Sequence, residues 1–259
     1  MGQPLVTAEG LTKLYGTSRV VSNVSLAIHR GEILGLVGES GSGKSTVARM
    51  ILRLIEPTAG TVTFDGADVL HADRKSMKEL RRRMGVVFQD PFAALDPRMT
   101  VRTILAEPFA IHGGDASEAK LTGMLQEVGL DGTALDRYPH AFSGGQRQRI
   151  NIARALALQP EFLVLDEPVS ALDVSVGAQV INLLRGLQQS RGLTCLFISH
   201  SMPLVRYLCD RVAVMQRGEL VEVGGAVDVC EHPQESYTQA LIAATPEFGG
   251  IVNRSLPDQ

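Results

Sequence analysis

Ile33-Leu34-Gly35-Leu36-Val37 is followed without a break by Gly38-Glu39-Ser40-Gly41-Ser42-Gly43-Lys44-Ser45. The first five residues form a continuous apolar run, as in a strand buried on both faces. The next eight match G-x-x-x-x-G-K-[ST]. Beyond them Val47, Ala48, Ile51, Leu54 and Ile55 recur at helical spacing, with Pro57 expected to stop the helix. Strand, glycine loop and helix together make a phosphate cradle: glycines let successive N–H groups turn inward, and the helix start adds partial positive charge. Lys44 then meets the β and γ phosphates, and the Ser45 hydroxyl ligates magnesium. The plain alternative is a glycine turn capping a helix, which leaves Lys44 without a task. Upstream, the alternation from Ser25 pauses at Arg30-Gly31 and reads as a hairpin feeding the buried strand.

Working outward, a second apolar run, Phe162 to Leu165, ends in Asp166-Glu167, and a third spans Thr194 to Ile198. Between them Val176, Val180, Ile181, Leu184 and Leu187 share a helical face. Strands alternating with helices predict a parallel, doubly wound sheet. Arg211 to Met215 and Glu219 to Val223, around Arg217-Gly218, read as a closing hairpin. An acidic residue at the end of a strand beside the glycine loop can hold the magnesium hydration shell, which is the role expected for Asp166. Glu167 can polarise an attacking water; the plain reading is an acidic pair at a helix start. From about residue 90 to 160 strand signals vanish and helical ones dominate, including Leu121, Met124, Leu125 and Val128. The expected division is a nucleotide-binding core over 1–89 and 160–225, an inserted helical subdomain over 90–159, and a tail over 226–259. That tail carries a short helix around 237–244 and a partly loose end.

Ser143-Gly144-Gly145-Gln146 supports two readings. Ser143 and Gln146 have the spacing of a capping box for a helix running to about Leu158. Two glycines at a helix start also bare N–H groups to an anion, so a second phosphate-facing surface is the other.

Composition excludes several classes. The chain has 259 residues, 44% apolar and 20% charged, which disfavours wholesale disorder and collagen or coiled-coil architectures. A net charge of -3 provides no global cationic field for nucleic acid. No apolar stretch approaches the roughly 20 residues that cross a bilayer, and residues 1–10 show no secretory signal, so a cytosolic location is expected. Cys195, Cys209 and Cys230 lack metal-ligand spacing and are expected to be inert thiols. The stretch Arg74 to Arg83 holds six basic residues and reads as a solvated helix face, with contact to an anionic partner surface as the alternative.

In combination these motifs resemble the nucleotide-binding subunit of an ABC transporter, over most of the chain. Residues 38–45, with Thr46 following, resemble the Walker A motif and Phe162 to Asp166 the Walker B motif, with Glu167 in the position of the general base. Phe142 to Gln146 resembles the signature sequence, where the family more often has leucine in place of Phe142. Gln89 resembles the Q-loop glutamine, which joins Ser45 and Asp166 around magnesium; Asp173 resembles the D-loop aspartate and His200 the switch histidine. Tyr15 resembles the aromatic residue that stacks on adenine. Taken singly, Tyr15 reads as surface or core filler and His200 as a satisfied loop histidine.

The resemblance implies a P-loop NTPase (RecA-like) α/β fold, with an N-terminal antiparallel β subdomain and an inserted α-helical subdomain. It further implies ATP and Mg2+ as cofactors, ATP hydrolysis in a sandwich with a second ATP-binding subunit, an integral membrane permease at the inner face of the membrane, and, indirectly, an external solute-binding protein. No nucleic acid is expected. Residues 89–101 and the closing His232-Pro233 with Tyr237 to Leu241 are similar to the oligopeptide, dipeptide and nickel importer branch. There histidine, proline, tyrosine and threonine usually run on without a gap, whereas Gln234, Glu235 and Ser236 intervene here. No cysteine follows Cys230, so no iron–sulfur cluster is expected. The alternative function is a soluble ABC-type ATPase clamping nucleic acid in repair or translation; a small-molecule kinase would leave residues 143–146 without a role.

Overall fold

The computed structural model describes residues 3–244, arranged as two sheets with helices between and around them. The first sheet is antiparallel, in the order β2 (Ser18–His29), β1 (Pro4–Tyr15), β4 (Ala59–Phe64) and β5 (Ala67–Asp68). The second has the order β10 (Glu219–Gly225), β9 (Arg211–Gln216), β3 (Ile33–Val37), β8 (Thr194–Ser199), β7 (Phe162–Asp166) and β6 (Met84–Val87). From β9 to β6 all neighbours run parallel, and β10 closes the edge as an antiparallel hairpin.

Burial of both faces explains why the central strands are continuously apolar. Along β7, Phe162 and Val164 face one apolar cluster while Leu163 and Leu165 face the other. The first cluster packs α1 (Lys44–Ile51) between the two sheets, through Val47, Met50 and Ile51 against Leu34, Leu36 and Ile198. The second joins the core sheet to α6 (Val174–Arg191) and to the helical stretch formed by α3 (Val101–His112), α4 (Glu118–Glu127), two short 3-10 turns and α5 (Gly144–Leu156). After β8 come α7 (Met202–Leu208), the β9–β10 hairpin, α8 (Ala226–Glu231) and α9 (Ser236–Ala244). The expected looseness of the chain's end concerns residues outside those described.

Three expectations need correction. The alternating stretch before β3 does not form a hairpin with it: β2 pairs with β1, from Pro4 opposite His29 to Tyr15 opposite Ser18. Both edges of β3 are taken by β8 and β9, so β2 has no free edge there and the chain crosses between sheets at Arg30-Gly31-Glu32. That crossing is tied to the core sheet by Gly31 N–H donating to Thr194 Oγ1 (3.0 Å) and by the Arg211–Glu32 ion pair (2.9 Å). Secondly, α1 stops well before Pro57, because Arg53 adopts a left-handed φ of 48° and its guanidinium donates to the Val69 and Ala72 carbonyls.

Thirdly, the basic helix α2 (Arg74–Arg83) is solvated along most of its length, but Arg83 is not part of that face. Its guanidinium donates to Glu161 (2.5 and 3.0 Å) and Asp65 (2.6 Å) and lies over the Phe64 ring. Arg30 pairs with the same two carboxylates. Asp65 follows β4 and Glu161 precedes β7, so this four-membered network fastens one sheet to the other.

Candidate active site

Four adjacent parallel strands deliver the site from their carboxyl ends, where crossover connections leave a crevice. β3 runs into the glycine loop, β6 leads to Gln89, β7 ends at Asp166-Glu167, and β8 leads to His200.

The loop is shaped by residues without side chains. Gly38 has φ 150°, and a Cβ there would sit 2.1 Å from the Met215 carbonyl; at Gly43, with φ 105°, it would sit 2.8 Å from that of Val20. Only glycine satisfies both the φ and the approach. Gly218, at the tip of the β9–β10 hairpin, donates its N–H to Ser42 O (3.0 Å). Within this frame the Lys44 ammonium is buried and donates to the carbonyls of Gly38 and Glu39, each at 2.8 Å. Burial lowers its pKa, opposed by the nearby carboxylates of Glu167, Asp166 and Glu39.

Ser45 Oγ donates to Asp166 Oδ1 at 2.8 Å, and burial raises the pKa of that carboxyl. This hydroxyl and carboxylate are hard oxygen donors and few in number, a chemistry that suits magnesium retaining water and phosphate oxygens. Glu167 is held in the left-handed region, φ 47°, its N–H donating to Ile198 O at 3.0 Å. Its carboxylate accepts from Gln89 Nε2 at 3.1 Å and lies 3.5 Å from His200 Nδ1. One carboxylate thus faces two polar side chains beside the glycine loop, an arrangement able to bind a water and take its proton.

The remaining expected site residues lie elsewhere. Tyr15, at the end of β1, is 53% exposed, with the Lys13 ammonium 5.1 Å from its ring centre. Ser143 and Gln146 form the anticipated capping box on α5: Gln146 N–H donates to Ser143 Oγ at 3.4 Å, and Ser143 N–H to Gln146 Oε1 at 3.1 Å. A Cβ on Gly145 would lie 2.2 Å from Val176 Cγ1, so packing against α6 requires that glycine within the single chain. Asp173 caps α6 by accepting from Val176 N–H at 2.9 Å. Among the described residues, no hydrogen bond or ion pair joins residues 143–146 to the glycine loop.

Sequence reasoning missed one contact: Tyr237 of α9 accepts a hydrogen bond from Glu39 N–H at 3.1 Å, across 198 residues. The His232-Pro233 and Tyr237 stretch was visible, but nothing in its spacing points to the loop. Cys195 and Cys209 are buried, and burial pushes the Cys195 thiol up to about 12 and that of Cys230 to about 11. Among the described residues, no helix is long and apolar enough to cross a membrane.

A family model described as ABC transporter matches residues 21–170. The chain is 50% identical over 236 residues to the oligopeptide transport ATP-binding protein OppF of Bacillus subtilis, covering 89% of this chain and 77% of that one. Among solved structures, cbiO1 of Clostridium perfringens, part of the ABC transporter complex cbiONQ, superposes with a TM-score of 0.78 at 27% identity, covering 90% of this chain and 93% of that one. The ATP-binding cassette MJ0796, a dimer in a post-hydrolysis state with ADP and Pi, gives a TM-score of 0.77 at 30% identity, covering 85% and 98%.

Proposed function

The chain belongs to the ABC transporter family, as an ATP-hydrolysing cassette, and on that premise we propose that it powers a peptide importer as one half of a nucleotide sandwich. The observation that carries the catalytic part is the setting of Glu167, beside Gln89 and His200 at the mouth of the Lys44–Ser45–Asp166 cradle. When triphosphate enters, Lys44 exchanges the Gly38 and Glu39 carbonyls for phosphate oxygens, and the loop N–H groups complete the cradle. Ser45, Asp166 and Gln89 would hold magnesium, which would neutralise charge on the phosphates. Glu167 orients the water and accepts its proton as the oxygen attacks the γ-phosphorus. The bond to the β-phosphate oxygen breaks, and ADP leaves with that electron pair. His200 and Gln89 hold the carboxylate and water in line, and Tyr15 offers its exposed ring to adenine.

Residues 143–146 are capped on their own helix and unconnected to the loop of the same chain. This supports a head-to-tail arrangement in which a second ATP-binding subunit presents Ser143, Gly144, Gly145 and Gln146 to the phosphates, with Asp173 beside the junction. Closure excludes water, and hydrolysis removes the bridging charge. A groove of about 320 Å³ lies between α2–β6 and helices α3 and α5, with Phe88 and Ile111 exposed along it. It is the seat we assign to a cytoplasmic helix of the permease, which would hold the subunit at the inner face of the membrane. Peptide as cargo rests on the named transport role of the Bacillus relative; selection belongs to the permease and an external solute-binding protein.

Glu167→Gln tests the reading. Turnover is expected to fall by about 10²- to 10⁴-fold, with ATP binding retained and a stable dimer accumulating on ATP. Unchanged hydrolysis would remove Glu167 from the role of base.

A further inference from the structure

Residue Glu39 of the glycine loop is gripped from two sides. Its carbonyl accepts from Lys44 Nζ at 2.8 Å, and its N–H donates to the Tyr237 hydroxyl at 3.1 Å. The two grips differ in kind. In the proposed ATP chemistry Lys44 turns its donors toward phosphate, whereas no part of that chemistry uses the tyrosine.

Tyr237 is itself well placed to hold. Its helix, α9, is fixed at its start by Glu222 of β10, whose carboxylate accepts the N–H groups of Gln234 (2.9 Å) and Glu235 (3.3 Å). Buried Leu241 and the ring of Tyr237 pack on the large apolar cluster. The residues Gln234, Glu235 and Ser236, which separate His232-Pro233 from Tyr237, therefore form the segment that docks the helix on the core sheet.

We propose that Tyr237 is a positioning residue for ATP binding: the C-terminal helix delivers a hydroxyl that keeps Glu39 seated when Lys44 turns to the phosphates, so the loop is already shaped for the triphosphate. This rests on the ATP-site reading above. A residue acting this way lowers the cost of binding without touching the hydrolytic water, so its loss changes KM rather than kcat.

The test uses the full chain with Tyr237→Phe, which retains the ring and removes only the hydroxyl. ATP affinity and the KM for ATP are expected to weaken about three- to tenfold, the range for one neutral hydrogen bond, with kcat within about twofold. Tyr207→Phe is the control, because Tyr207 donates to Asn182 Oδ1 at 2.7 Å away from the loop; its ATP affinity should match the parent chain. An unchanged affinity in Tyr237→Phe, an equal fall in KM-independent turnover, or the same shift in Tyr207→Phe overturns the proposal. Lys44→Ala, measured alongside, separates the two levels: if the parent chain binds ATP and Lys44→Ala does not, a null result for Tyr237→Phe removes only the positioning role. Should Lys44→Ala bind as the parent does, the ATP-site reading fails and the positioning role with it.

Discussion

The chain holds two glycine-rich helix starts, and they are finished in opposite ways. At α1 the N-cap is Gly43 with no side-chain cap, and the nearby ammonium of Lys44 is folded onto the loop's own carbonyls. At α5 the N-cap Ser143 and Gln146 satisfy each other's backbone donors in a closed capping box. An uncapped helix start beside a buried cation is a cradle with its donors uncommitted. A capped one keeps its small residues for close approach, here already used by Val176 on Gly145. On the proposed sandwich, the difference separates a region that binds by itself from one that contributes a face to an assembly.

The largest effect that sharpens this contrast is expected at Lys44. Lys44→Ala should weaken ATP binding by the isolated chain by about ten- to a hundredfold, as for loss of a charged hydrogen-bond donor, read by titration with a fluorescent ATP analogue. Ser143→Ala should behave differently. The isolated chain should keep its ATP affinity and lose about 1 kcal/mol of stability from the missing cap, while hydrolysis in the assembled dimer falls. Equal losses of ATP affinity in both variants would erase the distinction between the two helix starts.

The smallest effect concerns pH. Hydrogen bonds from Arg83, above all, hold the carboxyls of Asp65 and Glu161 below the usual range, with Arg30 adding to both. Depressed folded values mean that this stabilisation is complete above the ordinary carboxylate pKa of about 4 and is lost as pH falls through the lower folded values. Denaturant midpoints measured from pH 7 to pH 3 should therefore drop less in Arg83→Met than in the parent chain. Parallel slopes would show that the network does not couple folding to protonation.

Much of this was legible because the central strands are buried on both faces. The runs at 33–37, 162–165 and 194–198 could be read without knowing their partners, and the motif residues at their ends are brought by the parallel sheet into one crevice. Pairing choice was not legible. Alternation before β3 identified a strand but not that its partner lies upstream, since alternation encodes which side is buried and not which edge is free. Residue type also concealed backbone state: Arg53 and Glu167 both carry positive φ, unexpected in residues without the usual Asn or Gly signal. Arg83 was indistinguishable in sequence from its solvated neighbours until Asp65 and Glu161 were seen beside it. For Tyr237 the relevant partner is a backbone amide, which leaves no trace in side-chain pattern.

The contacts of Lys44 with the Gly38 and Glu39 carbonyls aim its ammonium across the glycine loop. An incoming phosphate competes with these two carbonyls, and with Ser42 Oγ at 3.4 Å, for the three N–H donors of the ammonium. A polyphosphate reaching the lysine and the helix start together gains several new contacts against the same competitors. A preference for several linked phosphates over one is therefore expected of Lys44 and the α1 start acting together.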